Sequence, residues 1–214
     1  MRINEKKTTT MIFNFTQKYQ FTTRLNLNGK HVKVVPEAKL LGTIIQNDLK
    51  WDSNTSRLVK RANARMQLLH KLYEFGATRE DMREIYISYI RSILEQNSVV
   101  WHSSLTEENI QDLERIRKSA CKIIMKNNNI EYIKSLQILN LESLSDRRQI
   151  LFENFAYKSF RSETIYFETN NKTHVMQTRH PEAFQVTHCN TQRLKDSAIP
   201  QMQELLNQMN KNVF

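Results

Sequence analysis

The sequence predicts an α+β protein: a small antiparallel β-hairpin sheet at the N-terminus, a mostly α-helical bundle, and a loosely ordered C-terminal tail. Apolar residues alternate on both sides of Asn28-Gly29, a pair that strongly favours a two-residue hairpin turn. From residue 52 to residue 160 they recur instead at helical spacing. Only 3 glycines and 3 prolines occur in 214 residues, which favours long helices.

These changes of pattern divide the chain into three regions. Residues 1–50 contain the predicted strands, and residues 51–160 contain the predicted helices. Residues 161–214 are rich in Thr, Asn, Gln and His, which predicts a polar tail that buries too little apolar surface to order firmly. Within that tail, Met202–Met209 shows a weak helical pattern.

The N-terminal region reads as strands because its apolar residues alternate. A sheet this small needs a helix packed on it, and the helix that begins near Asp52 is the expected cover. Pro36 is expected to end one strand because it has no N–H to donate. The predicted strands are Thr8–Phe15, Phe21–Leu27, His31–Val35 and Lys39–Gln46.

The longest predicted helix spans Asp52–Phe75. Asp52 or Ser53 is expected to cap its N-terminus, and Gly76 suits the left-handed position just past its C-terminus. One stripe of this helix is apolar and faces the core: Leu58, Val59, Ala62, Met66, Leu69 and Tyr73. The roughly opposite side is basic: Arg57, Lys60, Arg61, Arg65 and Lys71.

Further helices follow in the same region. Thr78 and Thr106 are expected to cap two of them, and either Ser143 or Ser145 begins another. Asn127–Asn129 is expected to end the helix that Thr106 begins, whereas Val99–Trp101 could continue or end the helix before it.

Composition restricts the possible function. The net charge is +10 and the pI is about 9.6, which favours a polyanionic partner such as nucleic acid. Two cysteines argue against a disulfide framework. The N-terminus lacks the apolar segment of a signal peptide, and no apolar run is long enough for a membrane span. We therefore expect a cytoplasmic or nuclear protein with no membrane partner.

Several motifs, taken together with their order along the chain, resemble the C-terminal part of the reverse transcriptases of non-LTR retrotransposons. The segment from Leu40-Leu41-Gly42 to Trp51 is similar to the family's primer grip and the start of its thumb. Asn4–Thr8 is similar to the last palm motif before the grip, an Asn-x-x-Lys-Thr that leads into an apolar strand. Other matching segments are Ile85-Tyr86, Ile93–Glu95, Val99–Trp101, Leu113–Met125, Ser197–Pro200 and Leu205–Asn207.

The resemblance implies roles for particular residues. Lys7 (or Lys6) matches the palm lysine near the phosphates of the incoming nucleotide. Leu41 and Gly42 match the grip that positions the primer end, although a packing glycine is an equal alternative for Gly42. The basic face of Arg57, Lys60, Arg61 and Arg65 matches the thumb, which holds an RNA or DNA template–primer by shape and charge without reading sequence.

The resemblance does not imply activity for this chain. A polymerase needs paired carboxylates to hold two Mg²⁺ ions, and the sequence contains no Asp-Asp pair. Those motifs are expected to precede Met1, so Mg²⁺ is a cofactor only of the intact parent enzyme, and no cofactor or catalytic residue is predicted here. The missing N-terminal palm and fingers are a possible partner.

Other interpretations compete with this one. The chain could be a helical interaction or scaffold protein whose basic charge only aids solubility. A second basic set, formed by Arg115, Arg117, Lys118, Lys122 and Lys126, is expected to be a solvated face. His174, His180, His188 and Cys189 lack the Cys-x-x-Cys spacing of a zinc site. Trp51, Trp101, Tyr86 and Tyr89 are expected to be core residues rather than a base-stacking platform.

Overall fold

The computed structural model describes residues 4, 8–15, 24–127, 129–165, 167 and 184–211. Within them the α+β class is confirmed, with short strands first and helices after. The strands are β1 Thr9–Thr10, β2 Asn26–Leu27, β3 Lys30–His31, β4 Lys33–Val34, β5 Glu37–Leu40 and β6 Thr43–Gln46. The helices are α1 Asp52–Glu74, α2 Arg79–Ile85, α3 Ser92–Leu94, α4 Ser98–Trp101, α5 Glu107–Met125, α6 Tyr132–Ile138, α7 Leu144–Arg161, α8 Gln192–Lys195 and α9 Ala198–Lys211.

The described strands form three two-stranded pairs rather than the predicted single sheet. β2 and β3 make the antiparallel hairpin expected at Asn28-Gly29, where both residues have positive φ, 49° and 82°. β5 and β6 make a second antiparallel hairpin, whereas β1 and β4 pair in parallel. The β5–β6 hairpin packs on α1, and Ile45 of β6 contacts the core that α1 helps to form.

The prediction of one strand over Lys39–Gln46 was wrong, because Leu41 and Gly42 form a turn inside it. Their φ angles are 47° and 89°. A left-handed leucine costs about 1–2 kcal/mol, so the surroundings must stabilise it. Asn97 does so: its Nδ2 donates to the Leu41 carbonyl at 3.1 Å and to Thr43 Oγ1 at 2.8 Å. The turn therefore depends on a residue that lies more than 50 positions away in the sequence.

The predicted caps of α1 are half correct. Neither Asp52 nor Ser53 caps its N-terminus; Trp51 flanks the helix, and Asp52 Oδ1 instead accepts a hydrogen bond from Asn109 of α5 at 2.8 Å. At the C-terminus Gly76 has φ 75° as predicted. Its N–H donates to the Tyr73 carbonyl at 3.1 Å, and that of Ala77 donates to Leu72 at 2.9 Å, a Schellman arrangement.

The apolar stripe of α1 forms one side of the main core. Leu58, Ala62, Met66 and Leu69 are buried as predicted, but Tyr73 is 45% exposed and Leu72 packs against the core in its place. The facing residues belong to the helical segment 79–94 and to α5. The predicted N-caps Thr78, Thr106 and Ser143 are confirmed, with N–H to Oγ distances of 3.1, 3.3 and 3.0 Å.

A second, smaller core lies between α7 and α9. It contains Phe152 and Ala156 of α7, Met202 and Leu206 of α9, and the aromatic rings of Phe167 and Phe184. Of the predicted loosely ordered tail, residues 166 and 168–183 lie outside the described residues, whereas residues 184–198 include the buried Phe184 and the short helix α8. The helix expected at Met202–Met209 is longer than predicted, and it packs on α7.

Candidate nucleic-acid interface

Three arginines lie in a row along one flank of α1. Arg57, Arg61 and Arg65 are four residues apart, so they follow one another along the helix over about 12 Å. We call Arg57, Arg61 and Arg65 the arginine row. Each of the three contacts a different neighbouring element, whereas Lys60, on the outer side of the same turns, is exposed. The residues of the predicted basic face therefore lie side by side on α1, and each of the three arginines has a partner on another element.

Arg57 holds the β5–β6 turn against α1. Its Nη2 donates to the Gly42 carbonyl and, at 3.4 Å, to Asn54 Oδ1. The same Asn54 oxygen accepts the N–H of Ile44 at 3.1 Å. Partial burial lowers the pKa of Arg57, and the nearby charge of Arg61 lowers it further. Arg57 therefore has a structural role in addition to its charge.

Gly42 packs against a protein side chain. Its φ is 89°, and a Cβ added to it would lie 2.5 Å from Gln96 Nε2. The Gln96 amide oxygen accepts a hydrogen bond from Arg61 Nη1 at 2.9 Å. This contact favours the packing interpretation of Gly42 over close approach of a nucleic-acid backbone. Leu41, at the tip of the same turn, is 88% exposed.

Arg65 stacks on an aromatic ring. Its guanidinium carbon lies 3.6 Å from the centroid of the Tyr89 ring, and Tyr89 is 41% exposed. Tyr86, one turn earlier, and Trp101 are fully buried, and Trp51 is only 8% exposed. The expectation that these aromatic residues belong to the core is confirmed for those three and is wrong for Tyr89.

The backbone around Tyr89 departs from regular α-helix. Residues Tyr86–Arg91 form a π-helical turn between α2 and α3. Single π turns are rare and often occur at functional positions. Sequence periodicity carries little signal for this turn, because Met82, Tyr86, Ile90 and Ile93 still read as a helical stripe. Tyr89 lies seven residues after Met82 and four before Ile93, so helical spacing places it on that same stripe and the sequence contains no indication of its exposure.

Electrostatics around the arginine row favour anions. Within the described part of the chain, no carboxylate lies within ion-pair distance of Lys60, Arg61 or Arg65. The neighbouring segment 88–97 contains one acidic residue, Glu95. That carboxylate pairs with Arg147 at 2.6 Å and with Arg91 at 3.6 Å. A phosphate beside the row would therefore meet cations that no carboxylate in the described segments neutralises.

The second basic set does not form a comparable surface. Arg117 is only 1% exposed, so it belongs to the core and not to the predicted solvated face. Arg115 pairs with Asp112 at 2.9 Å, and Lys126 Nζ donates to the Ala77 carbonyl at 3.3 Å. Lys118 and Lys122 stay exposed.

Sequence reasoning missed a buried cationic cluster inside the bundle. Arg148 is fully buried, and its guanidinium carbon lies 6.0 Å from the Trp101 ring centroid. Burial lowers the pKa of Arg148, which the nearby carboxylates of Glu114 and Glu95 partly counteract. This charge, like that of Arg117, lies in the core and cannot contact a polynucleotide on the surface.

The remaining predicted residues give no further site. Lys7, His174 and His180 lie outside the described residues. In the part of the chain that the structure describes, no three His, Cys, Asp or Glu side chains lie close enough together to hold a metal ion. Nor is any described helix both long and apolar enough to cross a membrane.

Comparison with protein-family models, with curated proteins and with solved structures gives no match to this chain. The resemblance to reverse transcriptases therefore stays a hypothesis that depends on the motif residues alone. The geometry of the arginine row is independent of that resemblance.

Proposed function

We propose that this chain binds nucleic acid without reading its sequence, through Lys60 and the arginine row on α1. The observation that carries the proposal is that Arg61 and Arg65 are positioned by Gln96 and Tyr89 while no described carboxylate neutralises them. Fixed guanidinium groups lose little conformational entropy when they bind phosphate, and their binding releases counterions from the polyanion.

We further propose that the chain corresponds to the C-terminal part of a non-LTR retrotransposon reverse transcriptase, whose partner would be an RNA or DNA template–primer. The motif order around Leu41-Gly42 and Trp51 supports this assignment, and so does a basic helix directly after the hairpin. No residue is assigned a catalytic role, and Mg²⁺ would be a cofactor of the intact parent enzyme only.

The test measures binding of a labelled primer–template duplex and of a labelled single strand across a range of salt concentrations. The variant Lys60→Glu/Arg61→Glu/Arg65→Glu is compared with the wild type. A matched control, Arg115→Glu/Lys118→Glu/Lys122→Glu, changes the net charge by the same amount on α5. Circular dichroism confirms that each variant is folded.

The proposal predicts salt-sensitive binding that the α1 variant abolishes and the α5 control largely retains. Equal losses in the two variants would mean that only the overall charge attracts the polyanion. No binding at low salt by folded wild-type protein would contradict the proposal directly.

A helical interaction or scaffold protein is the second candidate, and a surface groove favours it. A cavity of about 350 Å³ lies between α4 and α7, with Val99, Leu151 and Phe155 among its lining residues. Phe155, Tyr157 and Phe160 of α7 are 37%, 47% and 42% exposed. A folded protein that fails to bind nucleic acid at low salt would favour this candidate.

A further inference from the structure

The contact between Arg65 and Tyr89 has the geometry of a stacked pair. A separation of 3.6 Å between the guanidinium carbon and the ring centroid places the cation directly on the face of the ring. Tyr89 retains two fifths of its surface in contact with solvent, and Arg65 is half-buried. The pair therefore places a planar guanidinium on a partly exposed aromatic ring at one end of the arginine row.

The rest of the row supplies cations beside that surface. Arg61 lies one turn from Arg65 and is oriented by Gln96 at 2.9 Å, and Lys60 is exposed on the adjoining position. Arg57 closes the row, with its guanidinium donating to the Gly42 carbonyl. Three cations and one stacked pair thus lie along about 12 Å of α1.

We infer that this site takes a single-stranded polynucleotide, with a base stacked on the Arg65–Tyr89 pair and the neighbouring phosphates on Arg61 and Lys60; the inference rests on the proposed function. Proteins that bind single strands combine a basic track with aromatic or guanidinium planes on which unpaired bases stack. In a duplex the bases are already stacked on one another, so the Tyr89 ring would contribute nothing to binding.

The partly exposed Tyr89 ring is expected to favour a single strand over a duplex. Charge alone attracts duplex and single strand alike, and it does not require an aromatic residue. Stacking of a base on an aromatic side chain raises affinity by roughly 5- to 150-fold. A preference for single strands that depends on Tyr89 would therefore be a property of this contact and not of the net charge.

The experiment uses the full chain and three fluorescent probes of equal length: a single strand of about 12 nucleotides, the matching duplex, and an abasic strand that keeps the phosphates but lacks bases. The proteins are the wild type, Tyr89→Leu and Tyr89→Phe. Because Tyr89 is partly exposed and packs at the surface, the variants are expected to fold.

We expect the wild type to bind the single strand at least 5-fold more tightly than the abasic strand and more tightly than the duplex. Tyr89→Leu should remove most of that advantage and leave duplex and abasic binding unchanged. Tyr89→Phe should behave like the wild type, since it keeps the ring.

Two results would overturn the inference while leaving the proposed function intact. The first is equal affinity of the wild type for the abasic and the normal single strand. The second is duplex binding as tight as single-strand binding, together with no effect of Tyr89→Leu on either. Failure of folded protein to bind any of the three probes at low salt would instead contradict the proposed function, and the inference with it.

Discussion

Gly42 and Gln96 meet where the β5–β6 hairpin joins the helical bundle. A methyl group on Gly42 would lie 2.5 Å from the Gln96 amide nitrogen, although the two residues are 54 positions apart in the sequence. The same Gln96 side chain orients Arg61 through a 2.9 Å hydrogen bond. Gln96 therefore contacts both the turn, which Asn97 and Arg57 also hold, and a candidate phosphate-binding side chain.

We expect Gly42→Ala to lower the free energy of unfolding by about 1–2 kcal/mol, because alanine is strained at positive φ and its methyl group displaces Gln96. Gly29→Ala is the matched control: its φ is 82°, but a methyl group there would meet nothing within 4 Å. Urea unfolding measures both. We expect Gly42→Ala to cost more stability than Gly29→Ala, and this difference should disappear when Gln96 is replaced by alanine. If Gly42→Ala costs the same stability with and without Gln96→Ala, the contact with Gln96 does not contribute.

Arg57 and Lys60 should behave differently although both belong to the predicted basic face. Arg57→Gln removes the donor to the Gly42 carbonyl and should lower stability by about 1–2 kcal/mol. Lys60→Gln should change stability by less than about 0.5 kcal/mol, since the residue is exposed. In binding experiments Lys60→Gln should reduce the slope of log K against log salt by about 0.7–0.9. A large loss of stability for Lys60→Gln and a small one for Arg57→Gln would instead mean that Arg57 is the less constrained of the two side chains.

His102 should make the fold less stable at acidic pH. Burial lowers the pKa of His102, and the charge of Arg148 lowers it further, while a contact with Gln149 opposes both. Because the folded pKa lies below the unfolded value, the unfolded chain takes up the proton first as the pH falls below about 6.5. The contribution of His102 to stability is thus present above that pH and decreases below it.

Thermal unfolding between pH 7 and pH 5 tests this prediction. His102→Gln should show a shallower loss of stability on acidification than the wild type. His70→Gln, at an exposed position on α1, should follow the wild type. A His102 variant with an unchanged pH dependence would show that other groups cause the acid sensitivity.

Asn207 should be needed to hold the segment at Phe184 on α9. Its side chain accepts the Phe184 N–H at 2.9 Å and donates to the Phe184 carbonyl at 3.0 Å, and both contacts are buried. Asn207→Leu leaves two buried backbone groups unpaired and should cost about 2–4 kcal/mol. Gln208→Ala, an exposed neighbour on the same helix, should be close to neutral.

Hydrogen exchange separates a local effect from a global one. If the second core is a local unit, Asn207→Leu should increase exchange in α9 while α1 and α5 keep their protection. Unchanged protection of α9 would mean that the Phe184 contacts do not hold this helix in place.

Much of the helical structure could be predicted from the sequence. The caps at Thr78, Thr106 and Ser143 and the glycine after α1 were predicted because each acts within a few residues along the chain. The Asn28-Gly29 hairpin was predicted for the same reason. The basic charge on α1 also follows from helical spacing alone.

The sequence by itself therefore determined the helices, most of their ends and the clustering of positive charge. Tertiary structure decided the rest: the turn at Leu41, the use of Arg57 to hold it, the burial of Arg117 and Arg148, and the exposure of Tyr89. Each of these depends on side chains that meet across elements, such as Asn97 with Leu41 and Arg65 with Tyr89. Such contacts leave no periodic signal in the sequence, because they join positions whose separation is set by the packing of the bundle and not by the pitch of a helix or the alternation of a strand.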